Sequence, residues 1–233
     1  MARARGGRSD PRGRSRGGKV RVRTARGRKT SSTRWLQRQL NDPYVAEARR
    51  QGYRSRAAFK LLDLDDKYHL LDGARRVVDL GAAPGGWSQV AAQRLKAGAD
   101  IVAIDLTAIE PIAGVRFLQM DFMDPAAPDR LKAALGGPVD VVLSDMANAA
   151  TGHRQTDHLK TMALAEAALD FAVQVLAPGG RFVAKVLRGG SDGQLLDALK
   201  RHFGEVRHAK PPSSRKESTE WYVVAKGLRV PPA

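Results

Sequence analysis

Three aspartates and one glycine-rich turn form the pattern in this sequence that could hold a nucleotide-like ligand. The turn begins at Gly81, runs Gly-Ala-Ala-Pro-Gly-Gly, and follows the mostly apolar residues 77–80. Its glycines allow a tight bend and a close approach of the backbone to a ligand. Asp105, Asp121 and Asp145 each end a later predicted strand. Ligands of open parallel sheets bind outside the carboxyl ends of the strands, so we expect the turn and the carboxylates to meet there.

The same residues narrow the choice of ligand. Asp105 follows Gly81 at about the spacing at which a dinucleotide fold binds ribose hydroxyls with a carboxylate, and Asp121 could accept a hydrogen bond from an adenine amino group. NAD stays possible on ribose recognition alone. However, the turn lacks the G-x-G-x-x-G spacing that seats a pyrophosphate on a helix N-terminus. S-adenosylmethionine has no phosphate and does not need that spacing, so it is the favoured ligand.

Lys185 is the ionisable residue whose position most needs an explanation. It lies inside a predicted strand, between Val183-Ala184 and Val186-Leu187. A lysine in an apolar strand is costly to bury without a partner. We therefore expect Lys185 to have a function rather than to be an ordinary core residue.

The elements that must position these residues alternate along the chain. Strands are predicted at 76–80, 101–105, 115–121, 139–145 and 181–186. Helices are predicted to start near Gly86, Asp129, Asp157 and Asp192. This alternation indicates an α/β fold with a parallel sheet and helices on both faces. The third of these helices should end at Pro178-Gly-Gly.

Two further strands, at 205–208 and 221–225, end the predicted sheet. The short loop 210–219 between them leaves no room for a crossover helix, so they should pair antiparallel. A seven-stranded sheet that finishes in a hairpin is the usual arrangement of methyltransferases that use S-adenosylmethionine. Simple dinucleotide folds end with parallel strands instead.

The net charge of +16 is concentrated at the N-terminus. Residues 1–30 contain twelve Lys and Arg against Asp10 alone. This glycine-rich arm has too few apolar groups to fold by itself, and its charge predicts contact with nucleic-acid phosphates. A transit peptide is the alternative interpretation. Residues 31–233 are expected to form one domain.

The composition also excludes some classes of protein. The chain has no cysteine, which excludes disulfides and thiolate metal sites and fits a reducing compartment. No apolar run approaches the roughly 20 residues of a membrane helix. We therefore expect a cytoplasmic, monomeric protein with no bound metal and no membrane partner.

Several segments resemble the FtsJ/RlmE family of RNA ribose 2′-O-methyltransferases. They are Ser32-Thr-Arg-Trp-Leu-Gln, Arg54-Ser-Arg-Ala-Ala-Phe-Lys, Asp79-Leu-Gly-Ala-Ala-Pro-Gly-Gly-Trp-Ser-Gln, Ser144-Asp-Met-Ala and Glu220-Trp-Tyr-Val-Val-Ala. The resemblance covers roughly residues 31–227. It implies a Rossmann-like class I methyltransferase with an antiparallel last strand, S-adenosylmethionine as cofactor, and a uridine of 23S RNA in the large ribosomal subunit as substrate.

The resemblance also implies which residues act. The family's Lys-Asp-Lys-Glu set corresponds to Lys60, Asp145, Lys185 and Glu220, with Lys185 as the base, and Glu217 is an alternative acid. Its cofactor contacts correspond to Gly85, Trp87, Asp105, Asp121 and Asp145. Without the resemblance, Lys60 would be interpreted as a solvated helix lysine.

The family resemblance supplies a rationale for the second lysine, Lys60. A neighbouring cation at Lys60, together with burial, would help Lys185 to lose its proton, and the two acids would orient the ammonium groups.

The family commonly continues Ser-Asp-Met-Ala with Pro-Asn, whereas this chain has Asn148-Ala-Ala. The loop over the methyl donor is therefore expected to have a different shape.

The predicted N-terminal helices, within residues 31–70, are the candidate RNA-binding surface. Six arginines alternate there with aromatic residues: Arg34, Arg38, Arg49, Arg50, Arg54 and Arg56 with Trp35, Tyr44, Tyr53 and Phe59. Arginines can hold phosphates and an exposed aromatic can stack a base, although the aromatics could equally be core. Two other functions stay open, namely methylation of transfer RNA by the same chemistry and a non-catalytic role in ribosome assembly.

Overall fold

A computed structural model describes residues 30–148, 151–187 and 193–230 of the chain, which divides into two structural units after Arg56. In the first unit, helices α1 (Thr30–Leu40) and α2 (Pro43–Arg50) are joined by a tight turn. Asp42 caps α2 by accepting a hydrogen bond from the Tyr44 N–H at 3.1 Å, and its carboxylate also pairs with Arg56. The basic arm predicted at 1–30 lies almost entirely outside the described residues.

The second unit contains a seven-stranded sheet and five helices in its described part. The strands are β1 (Arg76–Leu80), β2 (Asp100–Asp105), β3 (Val115–Gln119), β4 (Val139–Ser144), β5 (Leu176–Leu187), β6 (Phe203–Ala209) and β7 (Glu220–Leu228). The helices are α3 (Ala57–Tyr68), α4 (Gly86–Arg94), α5 (Ala127–Leu135), α6 (Arg154–Val175) and α7 (Gly193–His202).

The strand order is β3-β2-β1-β4-β5-β7-β6, which confirms the predicted α/β fold. The pairs from β3 to β5 are all parallel, whereas β7 runs antiparallel to both of its neighbours, β5 and β6. The last strand therefore lies inside the sheet and not at its edge. Its register places Tyr222 opposite Lys185 and Glu220 opposite Leu187, at the carboxyl end of β5.

The two faces of the sheet have different chemistry. Val78, Leu80 and Ala184 point into the main apolar core, which α5, α6 and α7 cover. Because side chains alternate along a strand, Asp79 and Lys185 point to the opposite face. On that side α4 packs on β1 and β2, and α3 packs on α4. The two buried charged residues of the strands, Asp79 and Lys185, thus lie on the face that α4 and α3 cover.

Several predicted boundaries differ from the structure, among them the start of β5, which lies at Leu176 rather than at 181. Helix α6 ends at Val175 rather than at Pro178, because Leu176 already pairs with Val139 of β4 at a register irregularity. Strand β4 ends at Ser144, so Asp145 follows it directly, and strand β3 ends at Gln119, so Asp121 lies two residues beyond it; neither aspartate ends its strand as predicted. The helix start predicted at Asp192 lies outside the described residues.

Two of the aromatic side chains proposed for RNA stacking are not available for it. Tyr44 is 8% exposed and Phe59 is 5% exposed, so both belong to the core. The interpretation of these aromatics as core residues is therefore correct. The Trp35 side chain lies outside the described residues.

Asp79 is a buried acid within β1. It has no exposed surface, its Oδ2 accepts a hydrogen bond from Ser88 Oγ at 2.6 Å, and its Oδ1 has no partner among the described residues. Burial, with a smaller effect of the Asp145 and Asp105 carboxylates, raises the pKa of Asp79 to about 7 against the opposing hydrogen bond from Ser88. The folded protein therefore keeps this acid protonated at pH values at which an exposed aspartate is ionised.

Asp79→Asn should change how stability depends on pH. Between the ordinary pKa of 3.8 and the folded value of about 7, the folded state holds a proton that the unfolded chain has lost. The wild type therefore loses stability as pH rises through this window, by about 4 kcal/mol in total. In urea unfolding, the stability of Asp79→Asn relative to wild type should rise over that window and level off above it. Exposed Asp170 is the control, and a pH-independent difference for Asp79→Asn would contradict the assignment.

Candidate active site

Gly81 allows the ends of β1 and β4 to meet. Its φ is +76°, and a Cβ at this position would lie 2.6 to 3.0 Å from Met146 Cγ, Cα and N. The adjacent Asp145 N–H donates to the Leu80 carbonyl at 3.2 Å. The first glycine of the turn is thus needed for packing against β4, because this contact sets the position of Asp145.

The two other residues predicted in the turn lie at the start of α4. Gly85 occupies the N-cap with a φ of 106°, in the left-handed region that favours glycine. Trp87 is buried, and its Nε1 donates to the Ala57 carbonyl at 2.8 Å. Neither residue lines the cavity described next. Trp87 instead anchors α4 to the start of α3.

A cavity of about 430 Å³ opens at the carboxyl edge of the sheet, in the size range of small-molecule sites. Its polar wall contains Asp105, Asp121, Asp145 and Lys185, and its apolar wall contains Ile104, Met120, Phe122 and Leu164. The predicted ligand carboxylates therefore share one cavity. Asn148, where the chain departs from the family pattern, also lines it, and residues 149–150 lie outside the described part of the chain.

Backbone amides hold two of these carboxylates in place. Asp105 Oδ1 accepts from the Thr107 N–H at 2.8 Å, and its Oδ2 accepts from the Ala83 N–H of the glycine-rich turn at 2.9 Å. Asp121 Oδ1 accepts from the Met123 N–H at 2.8 Å. Each carboxylate is fixed before a ligand arrives. A polar and apolar lining of this kind fits an adenosine group.

Lys185 and Asp145 form a close ion pair. The Lys185 Nζ lies 2.9 Å from Asp145 Oδ1 and donates to the Asp145 backbone carbonyl at 2.8 Å. The lysine is 7% exposed, which agrees with the expectation that a lysine within this strand needs a partner. Its amine is held at the cavity wall with a defined direction.

Lys60 and Glu220 form a second ion pair. Lys60 is 8% exposed and its Nζ lies 3.0 Å from Glu220 Oε2, so the interpretation of Lys60 as a solvated lysine is wrong. No local pattern could reveal the partner of Lys60, because Glu220 lies in β7, 160 residues away in the chain. Glu217, the alternative acid, is exposed.

Tyr222 connects the two pairs. Its hydroxyl donates to Asp145 Oδ1 at 2.5 Å, the Lys60 Nζ lies 5.6 Å from its ring centroid, and its ring centroid is 5.6 Å from that of Trp87. Sequence reasoning did not select this residue. The only signal was its place two residues after Glu220, and this becomes informative only when β7 is known to pair with β5.

The lysines keep both acids ionised. Burial opposes ionisation of Asp145, but the Lys185 and Lys60 ammonium groups and the Tyr222 hydroxyl outweigh it and hold the pKa of Asp145 below its ordinary value. Burial likewise opposes ionisation of Glu220, and Lys60 and Lys185 lower its pKa. The centre is therefore a compact set of opposite charges within mutual reach.

Residues 30–148, 151–187 and 193–230 contain neither a candidate metal site nor a candidate membrane span. No group of three or more His, Asp or Glu side chains there is arranged to hold a metal ion. Within the same residues, no helix has both the length and the hydrophobicity to cross a membrane.

The fold and the cavity together define the class of protein. A mainly parallel seven-stranded sheet with an antiparallel last strand, and an acidic cavity at the carboxyl ends of its strands, are the features of a Rossmann-like class I methyltransferase. The sequence model of the FtsJ-like methyltransferases matches residues 53–228. The chain belongs to the FtsJ-like methyltransferase family, as its motifs indicated.

Individual relatives agree with this membership. The chain is 62% identical over 209 residues to the Ribosomal RNA large subunit methyltransferase E of Novosphingobium aromaticivorans, with 90% of this chain and 94% of that protein covered. A protein of the same name from Rhizorhabdus wittichii is 60% identical over 213 residues, covering 91% and 93%. A Plasmodium falciparum crystal structure described as a ribosomal RNA methyltransferase gives a TM-score of 0.67 at 32% identity, covering 76% of this chain and 98% of that one.

Proposed function

We propose that this protein transfers a methyl group from S-adenosylmethionine to the 2′-hydroxyl of a uridine ribose in 23S RNA of the large ribosomal subunit. The observation that carries the proposal is the buried amine of Lys185, held at the wall of the cavity 2.9 Å from Asp145. The names of the relatives, at about 60% identity, support ribosomal RNA as the substrate. A cytoplasmic, monomeric enzyme remains our expectation.

The cavity residues fit this cofactor in two respects. Asp105 is positioned to accept hydrogen bonds from ribose hydroxyls and Asp121 from an adenine amino group, while Met120 and Phe122 supply apolar contact for the ring. Gly85 and Trp87 do not line the cavity and would contribute only indirectly, by positioning the start of α4 beside the glycine-rich turn. When bound, S-adenosylmethionine supplies an electrophilic methyl group on a sulfonium that leaves as a neutral thioether.

Lys185 would act as the general base. It accepts the proton of the ribose 2′-hydroxyl as the oxygen attacks, and so it must first be a neutral amine. The Asp145 carboxylate and carbonyl direct the amine into the cavity. Lys60 places a second positive charge near Asp145, and Glu220 compensates that charge. Much of the remaining rate enhancement comes from positioning, because the sulfonium is already a good leaving group.

RNA affinity is proposed to reside mainly in the N-terminal part of the chain. Residues 1–56 contain 18 Lys and Arg against three Asp and Glu, so they carry +15 of the net charge of +16. The catalytic unit is nearly neutral by comparison. Arg38 and Arg49 are exposed, whereas Arg56 and Arg50 pair with acids of the same unit. Exposed arginines of this kind bind phosphates and release counterions.

The choice of substrate can be tested with labelled S-adenosylmethionine. Ribosomal subunits, free ribosomal RNA and transfer RNA are offered in parallel, and 2′-O-methyl positions are mapped. We expect label in large-subunit RNA at one uridine ribose, because the relatives carry that substrate class in their names. Label in transfer RNA alone would favour the second substrate, and label in no RNA would favour a non-catalytic assembly factor.

Lys185→Met should strongly reduce the rate of methyl transfer. The substitution keeps the length of the side chain and removes the base, so kcat should fall by about 100- to 10,000-fold while cofactor binding is retained. Lys226→Met is the matched control, since Lys226 points to the same face of the sheet but donates to the Tyr68 carbonyl away from the cavity. Wild-type kcat in Lys185→Met would refute the assignment of the base.

The charge-based proposal predicts a change in salt dependence. Replacing both Arg38 and Arg49 by Gln should weaken RNA binding and reduce the slope of log K against log salt by about two phosphate contacts, roughly 1.5 units, with kcat unchanged at saturating RNA. Arg116→Gln is the control, because Arg116 is exposed but paired with Asp100 in the second unit. Equal slopes for the double variant and wild type would contradict the proposal.

A further inference from the structure

Within the β6–β7 loop, residues 210–219, a lysine side chain forms hydrogen bonds that join the two ends of the loop. The Lys210 Nζ donates to the carbonyl of Lys216 at 3.0 Å and to the carbonyl of Ser218 at 2.8 Å. Both acceptors are main-chain groups in the second half of the loop, four and two residues before Glu220. One ammonium group thus joins the start of the loop to its end, and this restricts the path by which the chain enters β7.

The middle of the same loop is attached to helix α3. The Ser213 N–H donates to Asp63 Oδ2 at 2.8 Å, and Ser213 is fully buried. Asp63 lies three residues after Lys60, so the two side chains are neighbours on the helix surface. The loop is therefore held on the helix that carries one member of the second ion pair.

The end of the loop contacts Glu220, the acid of the Lys60–Glu220 pair. The Glu220 N–H donates to Ser218 Oγ at 3.1 Å, and the Glu220 carboxylate meets the Lys60 Nζ at 3.0 Å. A closed circuit of contacts results, which runs from Asp63 through the loop to Glu220 and returns to α3 at Lys60. The Glu220 side chain is 35% exposed, so burial alone does not fix its position and these polar contacts contribute to it.

We propose that Lys210 and Asp63 are positioning residues that hold Glu220 against Lys60 and thereby organise the methyl-transfer centre. This inference rests on the proposed roles of Lys60 and Glu220. Glu220 is the first residue of β7 and pairs with Leu187 of β5, so the sheet holds its backbone, whereas the direction of its side chain depends on how the preceding loop enters the strand. A loop without internal ties would sample many conformations, and the Glu220 carboxylate would then meet Lys60 only part of the time. Charges that act on a reaction are effective when they are fixed beforehand, and the loop fixes one of them.

The experiment compares variants of the two positioning residues. Lys210→Met and Asp63→Ala should lower kcat by about 10- to 100-fold through displacement of Glu220, with KM for S-adenosylmethionine within about twofold of wild type. Lys210→Arg and Asp63→Asn should restore most of kcat, because each keeps the donor or acceptor that the contact needs. Lys216→Met is the matched control, since only the backbone of that exposed residue takes part.

A double-mutant cycle distinguishes positioning from plain stabilisation. In a Glu220→Gln background, Lys210→Met should have little further effect on kcat, because both substitutions remove the same interaction. Thermal unfolding of each variant shows whether it is folded at the assay temperature. If Lys210→Met is not folded, Lys210→Arg takes its place in the cycle. Independent, additive losses of kcat would overturn the proposal, as would a kcat for Lys210→Met equal to that for Lys216→Met.

The cycle also separates this inference from the proposed function. Wild-type methylation of ribosomal RNA tests the function by itself, and Glu220→Gln tests whether the acid matters. A Glu220→Gln variant with wild-type kcat would leave nothing for the loop to position and would overturn the inference, while the methyl-transfer activity itself would stand.

Discussion

The Lys185 Nζ lies 2.9 Å from Asp145 Oδ1 with little access to water, and the rest of the site is arranged around this buried ion pair. Two charges removed from solvent are costly unless they meet in good geometry and their remaining hydrogen-bonding capacity is used. Here the Asp145 carbonyl and the Tyr222 hydroxyl supply the additional contacts. The Lys60–Glu220 pair adds one charge of each sign, so the centre has no net charge. These contacts allow a lysine to stay inside the sheet at the wall of the cavity.

The order of the strands makes this arrangement possible. Because β7 is antiparallel and lies between β5 and β6, the first residues of β7 reach the edge of the sheet at which β1, β4 and β5 end. A parallel last strand would present its final residues there instead. Glu220 and Tyr222 thus enter the site from the beginning of a strand, whereas Asp145 enters from the end of one. The β6–β7 loop and helix α3 then determine the position of Glu220 relative to Lys60.

Local patterns predicted most of the architecture. The alternating strands and helices, the glycine-rich turn and the antiparallel ending were all expected, because each depends on periodicity or on turn chemistry within a few residues. The predictions were less accurate where an element depends on a distant partner. Helix α6 ends at Val175 because Leu176 pairs with β4, and the Pro-Gly-Gly that followed looked like the natural stop. The same limit applies to Lys60, whose burial depends on an acid 160 residues away in the chain.

The sequence by itself determined the types of the elements, the cluster of acids after the strands and the concentration of positive charge before Ala57. These are properties of neighbouring residues, and they need no knowledge of which strands pair. Only the tertiary structure decided that Lys60 meets Glu220, that Tyr222 donates to Asp145, and that Gly81 serves the packing of Met146. Each of these contacts joins separate elements of the fold. Their existence depends on strand order and register, which are set by the packing of the whole sheet and not by any local pattern.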